Sequence, residues 1–531
     1  MNLKDFGKLF LILFVIVLSA CGNQKQDYDI SYKPKWKAKF DLKSTKAINE
    51  YDAIVVGSGI GGLTSASLLA KEGFKVLVLE QSHQIGGFSS SYGRDEFTFG
   101  TGGEDVSGLW ERGSVTYLLK QLNLRKDDLF VKHTREYILN GEKLVLPNDY
   151  EGFVKYLYAR FPSESENIKL FFAQAKAAYE EINDPLVFEF YGIRLDKEQL
   201  VELFGKEKMQ SLSSGQNISK WMNKNYQQKL DEFFKDENLK AFLKSLLGYL
   251  GLEADKTPAL TALLANLSYF IFGGYYPKGG PGGFALALKK LIESHGGVVL
   301  ADHKVDKVLI KDKTVEGVCV GDKIFKSSIV IANANAKTLF LNLVDSKEFS
   351  DKFILDIKNL KMSTSAFVVH LGLDMDLSKI PASLVVSLDN GLYMLISTNV
   401  DKSLAPANKS VVTLIKLIDY KDFHSSKSPE YTELKEKTAN QLIAKAETII
   451  PNLSKKILVR DISTPYTFER YTSMPEGAIY AFDRSKNKNV PYFKSPIEGL
   501  YLASASAKAG GIEAVVIAGI WCKHDILNWK R

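Results

Sequence analysis

Chemistry first suggests itself where glycines crowd the end of a short apolar strand. Ala53-Ile54-Val55-Val56 runs directly into Gly57-Ser58-Gly59-Ile60-Gly61-Gly62, and a second strand, Lys75 to Leu79, ends in Glu80. This order suits a dinucleotide cradle. Gly57 lets the chain turn sharply out of the strand, Gly59 lets the backbone approach a pyrophosphate, and Gly62 lets the next helix pack on the sheet. That helix, Leu63 to Lys71, presents its positive end to phosphates. Glu80 is placed to accept hydrogen bonds from both hydroxyls of an adenosine ribose. A carboxylate repels a 2′-phosphate and no Arg adjoins it, so NAD and FAD remain.

Glu80 leads into Gln81-Ser82-His83-Gln84-Ile85-Gly86-Gly87-Phe88-Ser89-Ser90, a second glycine motif. Further along stand Phe97-Thr98-Phe99-Gly100-Thr101-Gly102, then Tyr275-Tyr276-Pro277-Lys278-Gly279-Gly280, and finally Gly499-Leu500-Tyr501-Leu502-Ala503-Ser504-Ala505. In this order the motifs resemble the phytoene desaturase, carotenoid isomerase and retinol saturase branch of the flavin amine oxidase-like oxidoreductases. The resemblance implies FAD, held by a discontinuous α/β Rossmann-like domain, with an interleaved α+β substrate domain. It assigns cofactor contacts to Gly57, Gly59, Ile60, Gly61, Gly62, Glu80, Gln81, Gly86, Gly87, Phe88, Ser89, Val305, Asn333, Ser504, Ala505 and Ile512. Three positions depart from the family pattern. Phe88 follows the Gly pair where an Arg or small residue is usual, Gly100 stands for the Asp of Phe-Asp-x-Gly, and Ser504-Ala505 stands for Gly-Asp. Each departure removes a polar contact worth on the order of 1 kcal/mol.

The implied division is FAD-binding segments at 51–110, 275–345 and 491–531, a helical substrate-domain insertion at 111–274, and an antiparallel substrate sheet at 346–490. Apolar residues at helical spacing fill Glu164 to Leu250, and strand-like runs return at Ala366–Leu371, Tyr393–Ile396 and Val411–Ile415. Gly280-Pro281-Gly282-Gly283-Phe284-Ala285 formally fits a second cradle. Pro277 would interrupt its leading strand and Pro281 would remove an amide, so the segment reads instead as the start of a helix, Phe284 to His295, returning to the FAD sheet.

No G-x-S-x-G, H-E-x-x-H, C-x-x-C or P-loop occurs, so no metal is expected and the chemistry falls to the cofactor. Lys278, Tyr275 and Tyr276 are the candidate catalytic side chains. Lys278 either approaches the flavin or lies at the surface, and the aromatic run Tyr269 to Tyr276 either lines a tunnel or packs a core.

At the N terminus, Lys4 and Lys8 precede an apolar run from Leu9 to Leu18 and then Ser19-Ala20-Cys21. The run is short for a membrane span of about 20 residues. Leu-Ser-Ala-Cys resembles a bacterial lipobox, which implies a signal peptide at 1–21, lipidation of Cys21 and an exported, membrane-anchored protein. Residues 22–50 form a lysine-rich tether. A net charge of +7 over 531 residues gives no support to a nucleic-acid partner. Cys319 and Cys522 read as core thiols.

These readings converge on an FAD-dependent desaturase, saturase or isomerase for an extended apolar, isoprenoid-like substrate, with quinone or oxygen as electron acceptor outside the cytoplasm. The alternatives are a flavin amine oxidase and a non-catalytic ligand-binding or scaffold lipoprotein that keeps the fold.

Overall fold

The computed structural model describes residues 50–139, 141–147, 149–182, 216–247, 253–387, 391–423, 426, 428–483, 486–487 and 490–528. The leader, Cys21, the tether and part of the helical insertion lie outside them. Among the described residues no helix is long and apolar enough to cross a membrane.

From β1 (Ala53–Val56) the chain turns into helix α1 (Ile60–Lys71) and returns in β2 (Val76–Leu79). A hairpin follows, β3 (Ser91–Arg94) and β4 (Phe97–Gly100), then β5 (Phe130–Lys132), β6 (Arg135–Leu139) and β7 (Glu142–Val145). After the helical region come β8 (Tyr275–Pro277), helix α2 (Pro281–Ser294) and β9 (Val298–Leu300). A three-stranded antiparallel sheet, β10 (Lys307–Lys311), β11 (Thr314–Val320) and β12 (Lys323–Lys326), precedes β13 (Val330–Ala332). The second half supplies β14 (Ser365–Leu373), β15 (Leu384–Ser387), β16 (Leu392–Ile396), β17 (Ser410–Ile418) and β18 (Ile457–Ser463), and closes with β19 (Leu500–Leu502) and helix α3 (Ile512–Asn528).

Five strands from three separated segments form one parallel sheet, ordered β19-β13-β1-β2-β9. Strands such as Ala53–Val56 and Val76–Leu79 are buried at every position because helices cover both faces of the sheet. α3 lies against α1 so closely that a Cβ on Gly519 would stand 2.6 Å from the Gly61 carbonyl.

The second sheet has seven strands, ordered β18-β14-β17-β16-β15-β6-β7, all antiparallel except the β15–β6 join. Period-two alternation divides its side chains. Phe367, Val369 and Leu371 of β14, Val412 and Leu414 of β17, and Met394 of β16 share a core with Leu442 and Ile443 of the helix Pro429–Glu447. The intervening residues face the opposite way, into a cavity.

Two sequence expectations need correction. The segment 111–274 is not helical throughout: it contributes β5, β6 and β7, two of which extend the substrate sheet. Charged residues interrupt the apolar alternation of Arg135–Leu139 and Glu142–Val145, which hides their strand character. Pro277 does not exclude a strand, because β8 forms a two-stranded sheet with β5, its other side bridges Val106 through Tyr275, and a proline needs no ladder donor at the edge beyond that bridge. The segment before α2 is thus no part of the parallel sheet, and the formal second cradle has no parallel strand leading into it.

Candidate active site

The first glycine motif leaves β1 through Gly57, whose φ of 96° favours glycine. α1 begins with no side-chain cap and no acidic residue in its first turn, so its leading amides are left for an external acceptor. The second motif lies alongside: Gly59 and Gly86 form a bridge, and Ser58 binds both ends of the turn, its hydroxyl meeting the Gly86 amide at 3.1 Å. Close approach is a requirement at Gly61, where a Cβ would stand 2.3 Å from the Ala503 carbonyl. Gly62 meets the Gly57 carbonyl as expected, a Cβ there standing 2.5 Å away. The glycine backbone thereby stays bare toward the cavity.

Glu80 is buried, with Oε2 accepting from the Ser58 amide at 2.8 Å and hydroxyl at 2.7 Å, and Oε1 accepting from the Ser82 amide at 2.9 Å. Two donors saturate Oε2, and Oε1 keeps one acceptor position. The carboxylate thus offers a ribose one direct position on Oε1, while Ser58 and Ser82 hold it in place. An uncapped helix start, bare glycine backbone and a fixed carboxylate fit an FAD.

These elements border a cavity of about 400 Å³. Gly59, Ile60, Gly61, Gly86, Gly87, Phe88, Ser89, Asn333, Ser504, Ala505 and Ile512 line it, eleven of the residues assigned to the cofactor. Gly57, Gly62, Glu80, Gln81 and Val305 do not. Gly57 and Gly62 shape the turn behind it, Val305 is buried in the core, and Gln81 meets Ser473 at the surface. Phe88 packs against Phe468 with ring centroids 5.8 Å apart, so this departure adds an apolar contact to the substrate sheet's side of the cavity.

The catalytic candidates are corrected. Lys278 is exposed and donates to the Asp127 carbonyl at 2.6 Å, Tyr275 belongs to the dinucleotide-side core, and Tyr276 packs edge-on against His133. None lines the cavity, because β8 pairs with β5 and buries Tyr275 and Tyr276 in the two cores. Of the aromatic run, Tyr269 reaches the cavity.

The opposite wall is the free face of the seven-stranded sheet. Ala366 and Val368, Ile415 and Leu417, Tyr393 and Leu395, Leu384 and Val386, and Arg135 and Tyr137 are i, i+2 pairs from five strands. Their polar members gather at one side. Arg135 meets both oxygens of Asp105 at 2.7 and 2.6 Å, and Tyr269 donates to the Asp105 carbonyl at 3.3 Å. Desolvation opposes the Arg135 charge, but Asp105 keeps it protonated above its ordinary range. Burial pushes the phenols of Tyr137 and Tyr480 up to about 12, so both stay neutral.

Glu104 lies beside them and was not anticipated from the sequence. It is 8% exposed, its Oε1 has no hydrogen-bond partner, and burial raises its carboxyl to about 7. His133 pins its main chain, Nε2 donating to the Glu104 carbonyl at 2.8 Å while Nδ1 faces the Ser383 hydroxyl at 2.8 Å. A carbonyl only accepts, which fixes the proton on Nε2; burial keeps the ring neutral. The available sequence signal was the acidic pair Glu104-Asp105 directly after a glycine run.

Comparison with known proteins agrees with this geometry. The family model described as flavin containing amine oxidoreductase matches residues 60–521. A chloroplastic prolycopene isomerase of Daucus carota is 28% identical over 90% of this chain and 80% of its own length. An all-trans-retinol 13,14-reductase of Danio rerio is 24% identical over 91% of this chain and 87% of its own. The crystal structure of an oxidoreductase from Methanosarcina mazei shares the fold with a TM-score of 0.61 at 18% identity, covering 88% of this chain and 98% of that one. FAD is the cofactor that the cradle holds, and the chain belongs to the flavin containing amine oxidoreductase family.

Proposed function

We propose that this FAD-dependent oxidoreductase acts on carbon–carbon bonds of an extended apolar, isoprenoid-like substrate, in the manner of a desaturase, saturase or isomerase. The observation that carries the reading is the cavity wall. Four strands present Ala366, Val368, Leu384, Val386, Leu395, Ile415 and Leu417 opposite the glycine motifs, a largely apolar surface for a long hydrocarbon. The relatives named for prolycopene and all-trans-retinol support the same substrate class.

FAD supplies hydride or electron transfer when bound. The chain's own residues do the rest. The α1 amides and Glu80 hold the nucleotide, Phe88 and Phe468 press the apolar chain toward the cradle, and the sheet face excludes water. The Asp105–Arg135 pair and the neutral tyrosines hold the polar side of the cavity in one arrangement.

We also propose that Cys21 anchors the protein by lipid outside the cytoplasm and that quinone or oxygen takes its electrons. The test is expression of the full chain, membrane fractionation with a flavin assay, and incubation with prolycopene and all-trans-retinol followed by chromatography. Flavin in the membrane pellet and conversion of a polyene are expected. Soluble flavoprotein would remove the anchor, and peroxide formation with an amine panel but no polyene conversion would favour an amine oxidase.

A further inference from the structure

The position left bare at Gly100 and the carboxyl of Glu104 occupy the same space. A Cβ on Gly100 would stand 2.5 Å from Glu104 Oε1 and 2.8 Å from Pro281, so the acid four residues on fills the room that a side chain at 100 would take. It does so without donors of its own: Oε1 is enclosed and unpartnered, and the first position of α2 beside it is a proline with no N–H to offer. The charged and titratable groups around it are Tyr92 of β3, Tyr276 of β8, His133 through the main chain, and the Asp105–Arg135 pair turned to each other. A carboxyl that lines the reaction cavity, is nine-tenths buried and lacks a partner is built to carry a proton rather than a charge.

We infer that Glu104 is the catalytic acid of this site, exchanging a proton with a carbon of the substrate double bond while hydride passes between the neighbouring carbon and the flavin. The inference rests on the substrate class proposed above. In the saturating direction, reduced flavin gives a hydride, with its two electrons, to one carbon. The Glu104 O–H bond breaks, its proton forms the C–H bond at the other carbon, and the carboxylate regains a proton from water. Flavin is oxidised and the alkene reduced. In the desaturating direction the carboxylate removes that proton. His133 is a positioning residue, holding the Glu104 main chain through its Nε2 proton.

The test compares full-length wild type with Glu104→Gln and Glu104→Asp. The first readout needs no substrate: the wild-type Tm falls relative to that of Glu104→Gln by several degrees as pH rises from about 5 to about 8, because only wild type must give up a buried proton. The second uses photoreduced flavoprotein in deuterated water with all-trans-retinol as probe. Wild type places solvent deuterium on a product carbon, Glu104→Gln loses this by about 100-fold, and Glu104→Asp recovers part of it. Retinol added to the oxidised proteins shifts the flavin absorbance equally in all three, showing that binding is retained, whereas reoxidation of the photoreduced flavin slows in Glu104→Gln together with deuterium uptake. Parallel Tm profiles, or undiminished deuterium uptake in Glu104→Gln, would overturn the assignment. If wild type reacts with neither retinol nor prolycopene, the substrate class falls and the proton-transfer role with it, whatever the Tm profiles show.

Discussion

The parallel sheet and the seven-stranded sheet bound one cavity but meet it differently. The first reaches it with backbone: Gly59, Gly61, Gly86 and Gly87 bring bare main chain to the rim, and the uncapped end of α1 supplies the donors. The second reaches it with side chains, alternate residues of five strands whose other faces are packed under the helix Pro429–Glu447. Backbone chemistry serves a cofactor that never changes, whereas side-chain chemistry can be retuned to a substrate without disturbing the cradle. Substitutions on the two walls are therefore expected to separate flavin binding from substrate handling.

The sharpest break falls on the backbone wall. Gly61→Ala forces a Cβ to 2.3 Å from the Ala503 carbonyl, an atom that no side-chain rotation can move away. A loss of about 3 kcal/mol, or about 100-fold in FAD affinity, is expected. Flavin absorbance after gel filtration, and titration of the apoprotein with FAD, measure it. Flavin retained at the wild-type level would show that the first glycine motif and the Ala503 segment tolerate separation and that the close approach is incidental.

On the side-chain wall the largest effect belongs to Arg135, which is buried while Asp105 keeps part of its surface. Arg135→Met leaves Asp105 without its partner and is expected to cost about 3 kcal/mol in urea unfolding. Pairing it with Asp105→Leu should recover most of that loss. The Glu104 carboxyl gives an effect of similar size through pH. Burial holds it at about 7 against an ordinary 4.5, so the folded state binds the proton more tightly. The stabilisation is fully present below the ordinary value and is lost as pH rises through about 7, about 3 kcal/mol in all. Glu104→Gln lacks this slope, which urea titrations across that range would reveal.

The same contrast explains what was legible in the sequence. The cradle could be read because its constraints are local: Gly57 to Glu80 encode a turn, a helix start and a carboxylate within one β-α-β unit. The three strand runs of the substrate sheet could be read because Ala366–Leu371, Tyr393–Ile396 and Val411–Ile415 are almost wholly apolar, interrupted by His370 and Thr413. The cavity wall could not, since Arg135 and Leu384 become neighbours only through the β15–β6 join and no spacing in the chain announces that pairing. Glu104 escaped for a further reason. An acid after a glycine run looks solvated until the fold closes Pro281 and His133 around it.

A smaller effect is expected where the two walls touch. Phe88 follows the Gly pair yet spends its ring on Phe468, so Phe88→Ala should cost about 1 kcal/mol of stability. Its flavin absorbance should stay normal while KM for a polyene rises. Loss of flavin instead would mean that the ring shields the cofactor rather than the substrate.

The smallest effect distinguishes the cavity from its outside. Lys278 belongs to a motif that the family resemblance singles out, and a cation beside a flavin would stabilise a reduced, anionic ring. Its amine, however, is exposed and bonded to the Asp127 carbonyl at 2.6 Å, and Lys278 is not among the residues that line the cavity. Lys278→Met should therefore shift stability by no more than about 0.5 kcal/mol and leave the flavin reduction potential unchanged. A lowered potential in that variant would require β8 to turn Lys278 inward when the cofactor binds. The two-stranded pairing with β5 would then have to break, because Tyr276 and Lys132 hold its present register through Val131 and Tyr275.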